Sequence, residues 1–233
     1  MLEKTHHNCS DCHIAKICMS SILETEALNK LDQIVSHQKK IKAGESVYMS
    51  GENVDALYSI KTGSFKLLIN SIGGYEQIIA LKMTAEFIGL ESIGSDYYSS
   101  TAIALEDSVV CIIPLSKLEN ISELFPSLQK HLNKVLCWEI EDRNMMVTLL
   151  GHTGAEKKLG LFLNYLLKGA KRRNLSEQNL KLKMSREEIA SYLGLSRETV
   201  TRMLSDYIKN GILKVSNKNI EILKPQLITN IVN

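Results

Sequence analysis

Cys9, Cys12 and Cys18 place three thiols within ten residues, in the spacing Cys-x2-Cys-x5-Cys. Thiolates are soft anionic donors, and three so close in sequence can converge on a zinc ion or an iron–sulfur cluster. Three do not close a four-ligand site. His6, His7, His13 or a distant cysteine has to complete it. Cys111 stands between Val110 and Ile112, where a cysteine is either a small buried hydrophobe or the missing fourth ligand. Cys137 falls in a helical pattern and is most simply a packing residue. In a cytosolic chain such spacing points to metal or redox chemistry more than to disulfides.

A second chemistry sits far along the chain, in Met184–Leu213, MSREEIASYLGLSRETVTRMLSDYIKNGIL. The stretch predicts two short helices around a tight turn. Ser185 with Glu188 makes a capping box, and Ile189, Ala190 and Leu193 form an apolar stripe. Gly194 suits the turn, and small Ala190 lets the helices approach. Ser196 caps the second helix, which turns Val200, Met203, Leu204 and Tyr207 inward. Arg197, Glu198, Thr201 and Arg202 lie on its other face, in the turns where a recognition helix meets base edges. Ile212–Val215 and Ile220–Leu223 flank Ser216-Asn217-Lys218-Asn219 as a hairpin, so the expected unit is a winged helix.

Other elements must carry these two groups. Residues 24–36 form a short amphipathic helix through Leu28, Leu31, Ile34 and Val35. Residues 40–115 read as short strands between glycine turns, with Thr62-Gly63-Ser64 and Gly73-Gly74 as examples, and predict an antiparallel barrel or sandwich. Residues 125–150 carry the longest helical pattern, with Pro126 in its first turn. Its stripe of Leu128, Leu132, Leu136, Ile140, Val147 and Leu150, interrupted by Arg143, suits a two-stranded seam. Two facing Arg143 side chains would repel unless Glu139 or Asp142 of the other helix neutralised them. After Gly151-His152-Thr153-Gly154 comes a helix over 155–169 closed by Lys171-Arg172-Arg173, charges suited to a helix end or to phosphate, and then an alternating stretch, Leu180–Met184.

Charge divides along the same line. Residues 151–233 hold 15 Lys and Arg against 7 Asp and Glu, whereas residues 1–150 hold 13 against 19. All six arginines lie at or beyond Arg143. A basic C-terminal part suggests that this part meets nucleic acid. No run approaches a membrane span, and the polar start MLEKTHHNCSDCH has no signal-peptide core, so the expectation is a cytoplasmic protein. His37, His131 and His152 are scattered, and no nucleophile–base pair or phosphate-binding glycine loop accompanies them, so no enzyme is expected.

Taken together, Cys9-x2-Cys12-x5-Cys18, KTGSFK at 61–66, ALEDSVVCIIP at 104–114, IASYLGLSRETVTRML at 189–204 and KNGIL at 209–213 carry a resemblance over nearly the whole chain. The chain resembles the CRP/FNR superfamily of bacterial transcription regulators, and most of all its oxygen-sensing fumarate and nitrate reduction branch. The resemblance implies an α+β fold in four parts. Residues 1–20 would bind iron–sulfur, 21–124 form a jelly-roll β-barrel like a cyclic-nucleotide-binding domain, 125–150 the dimerisation helix, and 151–233 a winged helix-turn-helix. It implies a [4Fe–4S] cluster on Cys9, Cys12, Cys18 and Cys111, and a homodimer that binds DNA without oxygen and separates when oxygen destroys the cluster. RNA polymerase is an implied partner. A related branch binds cyclic nucleotide through a glutamate and an arginine, but residues 86–103 contain no arginine, so no cyclic nucleotide is expected.

Aligned with the family, Glu198, Thr201 and Arg202 take the base-reading positions. Ser185, Arg186, Ser196 and Arg197 lie at helix starts suited to phosphates. Leu132, Leu136, Ile140, Arg143, Val147 and Leu150 take the dimer seam. The branch usually has serine where Thr201 stands, so the implied operator is close to TTGAT–N4–ATCAA rather than fixed to it.

Overall fold

The computed structural model describes residues 9–18, 21, 23–35, 37–70, 76–151, 154–173 and 181–232. His6, His7, Gly73-Gly74, His152, Thr153 and Leu180 lie outside the described residues. The chain separates into two compact units, Met1–Tyr75 with Ile79–Trp138, and Glu76–Ile78 with Glu139–Asn233.

In the first unit a 3-10 turn at Cys9–Asp11 precedes helix α1, Thr25–Ile34. Eight strands follow: β1 His37–Ile41, β2 Ser46–Tyr48, β3 Ala56–Thr62, β4 Ser64–Asn70, β5 Glu76–Met83, β6 Phe87–Ile88, β7 Thr101–Ala104 and β8 Ser108–Pro114. They make two four-stranded sheets, ordered β1-β8-β3-β6 and β2-β7-β4-β5. The pairing of β8 with both β1 and β3 is antiparallel. This is the double sheet that short β-rich segments with regular turns predict. Gly63 makes the β3–β4 turn possible: its φ is 95°, and a Cβ there would strike the side chain of Ser108.

Period-two alternation splits the apolar residues into two cores. Tyr58 and Ile60 of β3, Phe65 and Leu67 of β4, Ala102 and Ala104 of β7, and Val110 of β8 point between the sheets. Leu57 of β3 and Ile113 of β8 point the other way. Those residues are covered by Leu31 and Ile34 of α1, Leu118 of α2 (Leu115–Leu124), and Leu128, Leu132 and Val135 of α3 (Pro126–Gly151). Burying each such side chain stabilises the fold by about 1.5–3 kcal/mol.

Three aromatic rings fill one end of the inner core. Tyr48 and Tyr98 stack with centroids 3.8 Å apart, and Tyr58 lies 5.9 Å from Tyr48. The Tyr98 hydroxyl donates to Ala56 O at 2.6 Å. The Tyr48 hydroxyl donates to Glu91 Oε1 at 2.8 Å, and Ser100 Oγ donates to the same oxygen at 2.5 Å.

The second unit contains α4 Ala155–Arg172, β9 Lys181–Lys183, α5 Arg186–Leu193, α6 Arg197–Lys209, β10 Leu213–Ser216, β11 Asn219–Ile222 and α7 Pro225–Val232. The hairpin is tighter than its sequence suggests: Ser216 pairs with Asn219, leaving Asn217 and Lys218 as the turn, with Asn217 at φ 54°. Strand β9 pairs with β11 and completes a three-stranded wing, order β10-β11-β9. Helices α2 and α7 are not anticipated by the sequence reading. Among the described residues no helix is long and apolar enough to cross a membrane.

Candidate metal centre and nucleic-acid interface

Residues 9–18 are wound by successive tight turns. Cys12 N donates to Cys9 O at 3.3 Å, Ala15 N to Cys12 O at 2.8 Å, and Cys18 N to Ile14 O at 2.9 Å. Ile14, 5% exposed, pins the segment by its apolar side chain. Cys9 N donates to Asp32 Oδ1 at 2.6 Å, which ties the segment to α1. Strand alternation gives β8 its part: Val110 faces the inner core, so Cys111 faces out toward α1.

The result is one cavity lined by Cys9, Cys12, Cys18 and Cys111. Its walls are Ile14, Leu31, Val35 and Ile113, with the hydroxyl-bearing Ser59 among them. Ser59 stands directly opposite Cys111 in the β3–β8 register. Its Oγ lies 3.6 Å from Cys18 Sγ. Among the described residues, no three His, Cys, Asp or Glu side chains are drawn close enough to hold a single metal ion. His13 and Cys137 are exposed and line no part of the cavity.

Burial dominates the electrostatics. It pushes the Cys9 thiol well up, helped by Asp32 and then by Cys18 and Cys111. Cys111 is pushed up to about 12, again by burial first and then by Cys18, with Lys61 opposing. Thiols so placed are poor nucleophiles. A bound cation reverses the balance, because it compensates the charge that burial penalises. The donor set therefore fits a metal centre better than covalent catalysis.

The second unit builds the other surface. Ser185 Oγ accepts from Glu188 N at 3.1 Å while Glu188 Oε2 accepts from Ser185 N at 2.7 Å, closing the capping box. Gly194 ends α5 at φ 60°, the left-handed position that glycine takes without strain. Ser196 Oγ accepts from Thr199 N at 3.2 Å and starts α6. Val200, Met203, Leu204 and Tyr207 are buried, as the stripe predicts. Arg197, Glu198 and Arg202 are exposed. Thr201 Oγ1 donates to Arg197 O at 2.8 Å, so its hydroxyl is turned back onto the helix. Arg197 also pairs with Glu187 at 3.2 Å.

Two charged expectations are corrected. Arg172 forks across Glu141 Oε2 and Asp142 Oδ1, at 2.8 Å each, instead of standing ready for phosphate. Asp142 thus serves an arginine of its own chain. Arg173 is buried, and its Nε donates to Gly169 O at 2.8 Å. The α3 stripe also divides. Leu132 is 9% exposed and belongs to the outer core of its own unit, whereas Ile140, Val147 and Leu150 are 61%, 72% and 42% exposed. Leu136 and Arg143 are half-buried.

Sequence reasoning missed Asp32 and Ser59. Asp32 lies on the polar side of an amphipathic helix, where nothing marks it out. Ser59 carried a signal: it is the polar residue between Tyr58 and Ile60 in a strand buried on both faces.

Residues 38–124 match the model of the cyclic nucleotide-binding domain, and residues 158–231 match the Crp-like helix-turn-helix domain. The chain is 34% identical over 215 residues to the fumarate and nitrate reduction regulatory proteins of Salmonella typhimurium and Escherichia coli, covering 92% of this chain and 86% of theirs. It is 32% identical to the transcriptional activator protein FnrA of Stutzerimonas stutzeri, over 93% of this chain and 88% of that one. Among solved structures, FixK2 from Bradyrhizobium japonicum superposes with a TM-score of 0.71 at 25% identity, covering 84% of this chain and 96% of that one. A CRP-family regulator from Thermus thermophilus superposes at 0.65 with 16% identity, over 83% and 96%, and speaks for the fold alone. The cysteine-lined double-sheet unit, the winged helix and this kinship agree: the chain belongs to the CRP/FNR family and is a DNA-binding transcription regulator of the fumarate and nitrate reduction type.

Proposed function

We propose that the chain is an oxygen-responsive regulator that holds a [4Fe–4S] cluster on Cys9, Cys12, Cys18 and Cys111 and binds a near-palindromic operator as a homodimer when oxygen is absent. The observation that carries this reading is the common cavity, which gathers three thiols from a wound N-terminal segment and one from β8. An iron–sulfur centre held there by the four cysteines would supply the oxygen-reactive chemistry. The chain's own part is to tie the N-terminal segment to β8, beside the core that holds the start of α3. Releasing that tie loosens packing around Leu128 and Leu132, which biases the population between dimer and monomer.

On DNA, Arg202 is suited to guanine O6 and N7, Glu198 to a cytosine or adenine amino group, and the Thr201 methyl to a thymine methyl. The back-turned Thr201 hydroxyl supports the last role. Ser185 and Ser196 accept backbone bonds through oxygen, and Ser196 Oγ also pairs with Thr199 Oγ1 at 3.0 Å; both serines stand at helix starts suited to phosphate, beside Arg186 and Arg197. The dimer seam runs through Leu136, Ile140, Arg143, Val147 and Leu150, and presents two recognition helices about 34 Å apart. RNA polymerase is the further partner. Cyclic nucleotide is not a ligand in this reading, because no arginine stands in residues 86–103, and Tyr48 and Ser100 both turn Glu91 Oε1 to packing.

Anaerobic purification tests the proposal. Iron and acid-labile sulfide in near-equal amounts, a brown colour that air bleaches, and a dimer that dissociates with that bleaching support it. A colourless protein with stoichiometric zinc would sink it.

A further inference from the structure

Ser59 is a buried hydroxyl in the middle of a sheet. It is 3% exposed, and β3 is flanked by β8 on one side and β6 on the other. A buried hydroxyl costs stability unless it is hydrogen-bonded. Among the described residues its partner is Cys18 Sγ, at 3.6 Å, a distance at which sulfur still accepts. The same serine lines the cysteine cavity and faces Cys111 across the β3–β8 ladder. Either atom can donate while Cys18 is a thiol. A deprotonated, ligating sulfur has only lone pairs, so the serine must then be the donor.

We propose that Ser59 tunes the metal centre by donating an O–H···S hydrogen bond to Cys18 Sγ. This rests on the iron–sulfur reading above. Hydrogen bonds to ligand sulfur help to set the reduction potential of such centres, alongside charge and exposure. The bond draws electron density from the sulfur. It favours the reduced, more negative state and weakens the iron–sulfur bond slightly. Ser59 is a positioning residue in this scheme and does not touch iron.

The test uses full-length protein loaded anaerobically, as wild type and as Ser59→Ala, Ser59→Thr and Ser59→Val. Potentiometric titration with dithionite adds one electron to the centre and breaks no ligand bond. In Ser59→Ala the midpoint potential should fall, and the iron–sulfur stretching bands in resonance Raman should move up. Ser59→Thr, which keeps the hydroxyl, should hold the wild-type values. If the alanine variant does not fold, the threonine and valine variants pose the same question at constant volume. Equal potentials and Raman bands with and without the hydroxyl overturn the proposal. A shift as large in Ser59→Thr as in Ser59→Val overturns it too. Wild-type protein that carries neither iron nor sulfide overturns the iron–sulfur reading itself, and this inference falls with it.

Discussion

The carboxylate of Asp32 accepts the backbone N–H of Cys9 at 2.6 Å. One hydrogen bond thereby fastens the start of the cysteine segment to α1. The geometry creates a tension, because the same carboxylate is among the groups that push the Cys9 thiol up. Asp32→Ala removes the anchor and leaves a donor without its partner, a cost of about 1–3 kcal/mol. Iron bound per chain after anaerobic loading should fall. Asp32→Asn keeps the acceptor and removes the repulsion, so its iron content should match wild type. Equal loading of the alanine variant would show that the anchor is dispensable.

Arg202→Ala should cost about 1–3 kcal/mol on the operator and relax discrimination at the base pair it reads. Arg186→Ala should weaken binding to all sequences alike, with a shallower salt slope. Anaerobic titrations against operator and scrambled duplexes separate the two. The same uniform loss in both variants would refute the division of roles.

The two halves of α3 should answer differently to mutation. Leu132→Ala opens a hole in the outer core, and should lower folding stability by about 2–5 kcal/mol. Val147→Lys changes a residue that is 72% exposed, and should leave folding within about 0.5 kcal/mol while shifting the loaded protein toward monomer. Denaturant unfolding and light scattering measure the two effects. A Val147→Lys protein that remains fully dimeric at low micromolar concentration would remove that residue from the seam.

Gly194→Ala should destabilise the helix-turn-helix by about 1–2 kcal/mol, since an L-residue is strained at its φ of 60°. Part of that cost is contact: a Cβ there would lie 3.3 Å from Leu150 Cδ2. Combining Gly194→Ala with Leu150→Ala should give less than the sum of the single effects. Strict additivity in thermal unfolding would show that the backbone conformation bears the whole cost.

The parts legible in the sequence were those with a local physical signature. The capping box at Ser185 and Glu188, the turn glycine and the buried face of α6 each follow from short-range rules, and the structure has them. The long helix was legible from its period, and Pro126 marks its first residue. Its period could not say who covers which half. Leu132 and Val147 repeat alike, and only the packing of α1 and α2 distinguishes them. The same holds for Arg172, whose sequence neighbours suggest phosphate. Its partners, Glu141 and Asp142, sit about thirty residues away on another helix. The cysteine cavity was legible in the three N-terminal thiols by their spacing and in Cys111 by the resemblance, and not in its surroundings. Asp32 and Ser59 act through single long-range contacts, which leave no periodic trace.

The stacked pair of Tyr48 and Tyr98, held through Glu91 on one ring and the Ala56 carbonyl on the other, carries a consequence for how this regulator can vary. A barrel interior packed in this way resists substitution, so changes there should alter how much protein a cell retains rather than when it responds. Cys111 and Ser59 stand on the other sheet, on the face turned away from that interior, and under the proposed function variation there should retime the response without lowering the protein level. A genetic screen scored separately for abundance and for induction threshold should find the tyrosine-packed interior and the cysteine-bearing outer face sorting into different columns.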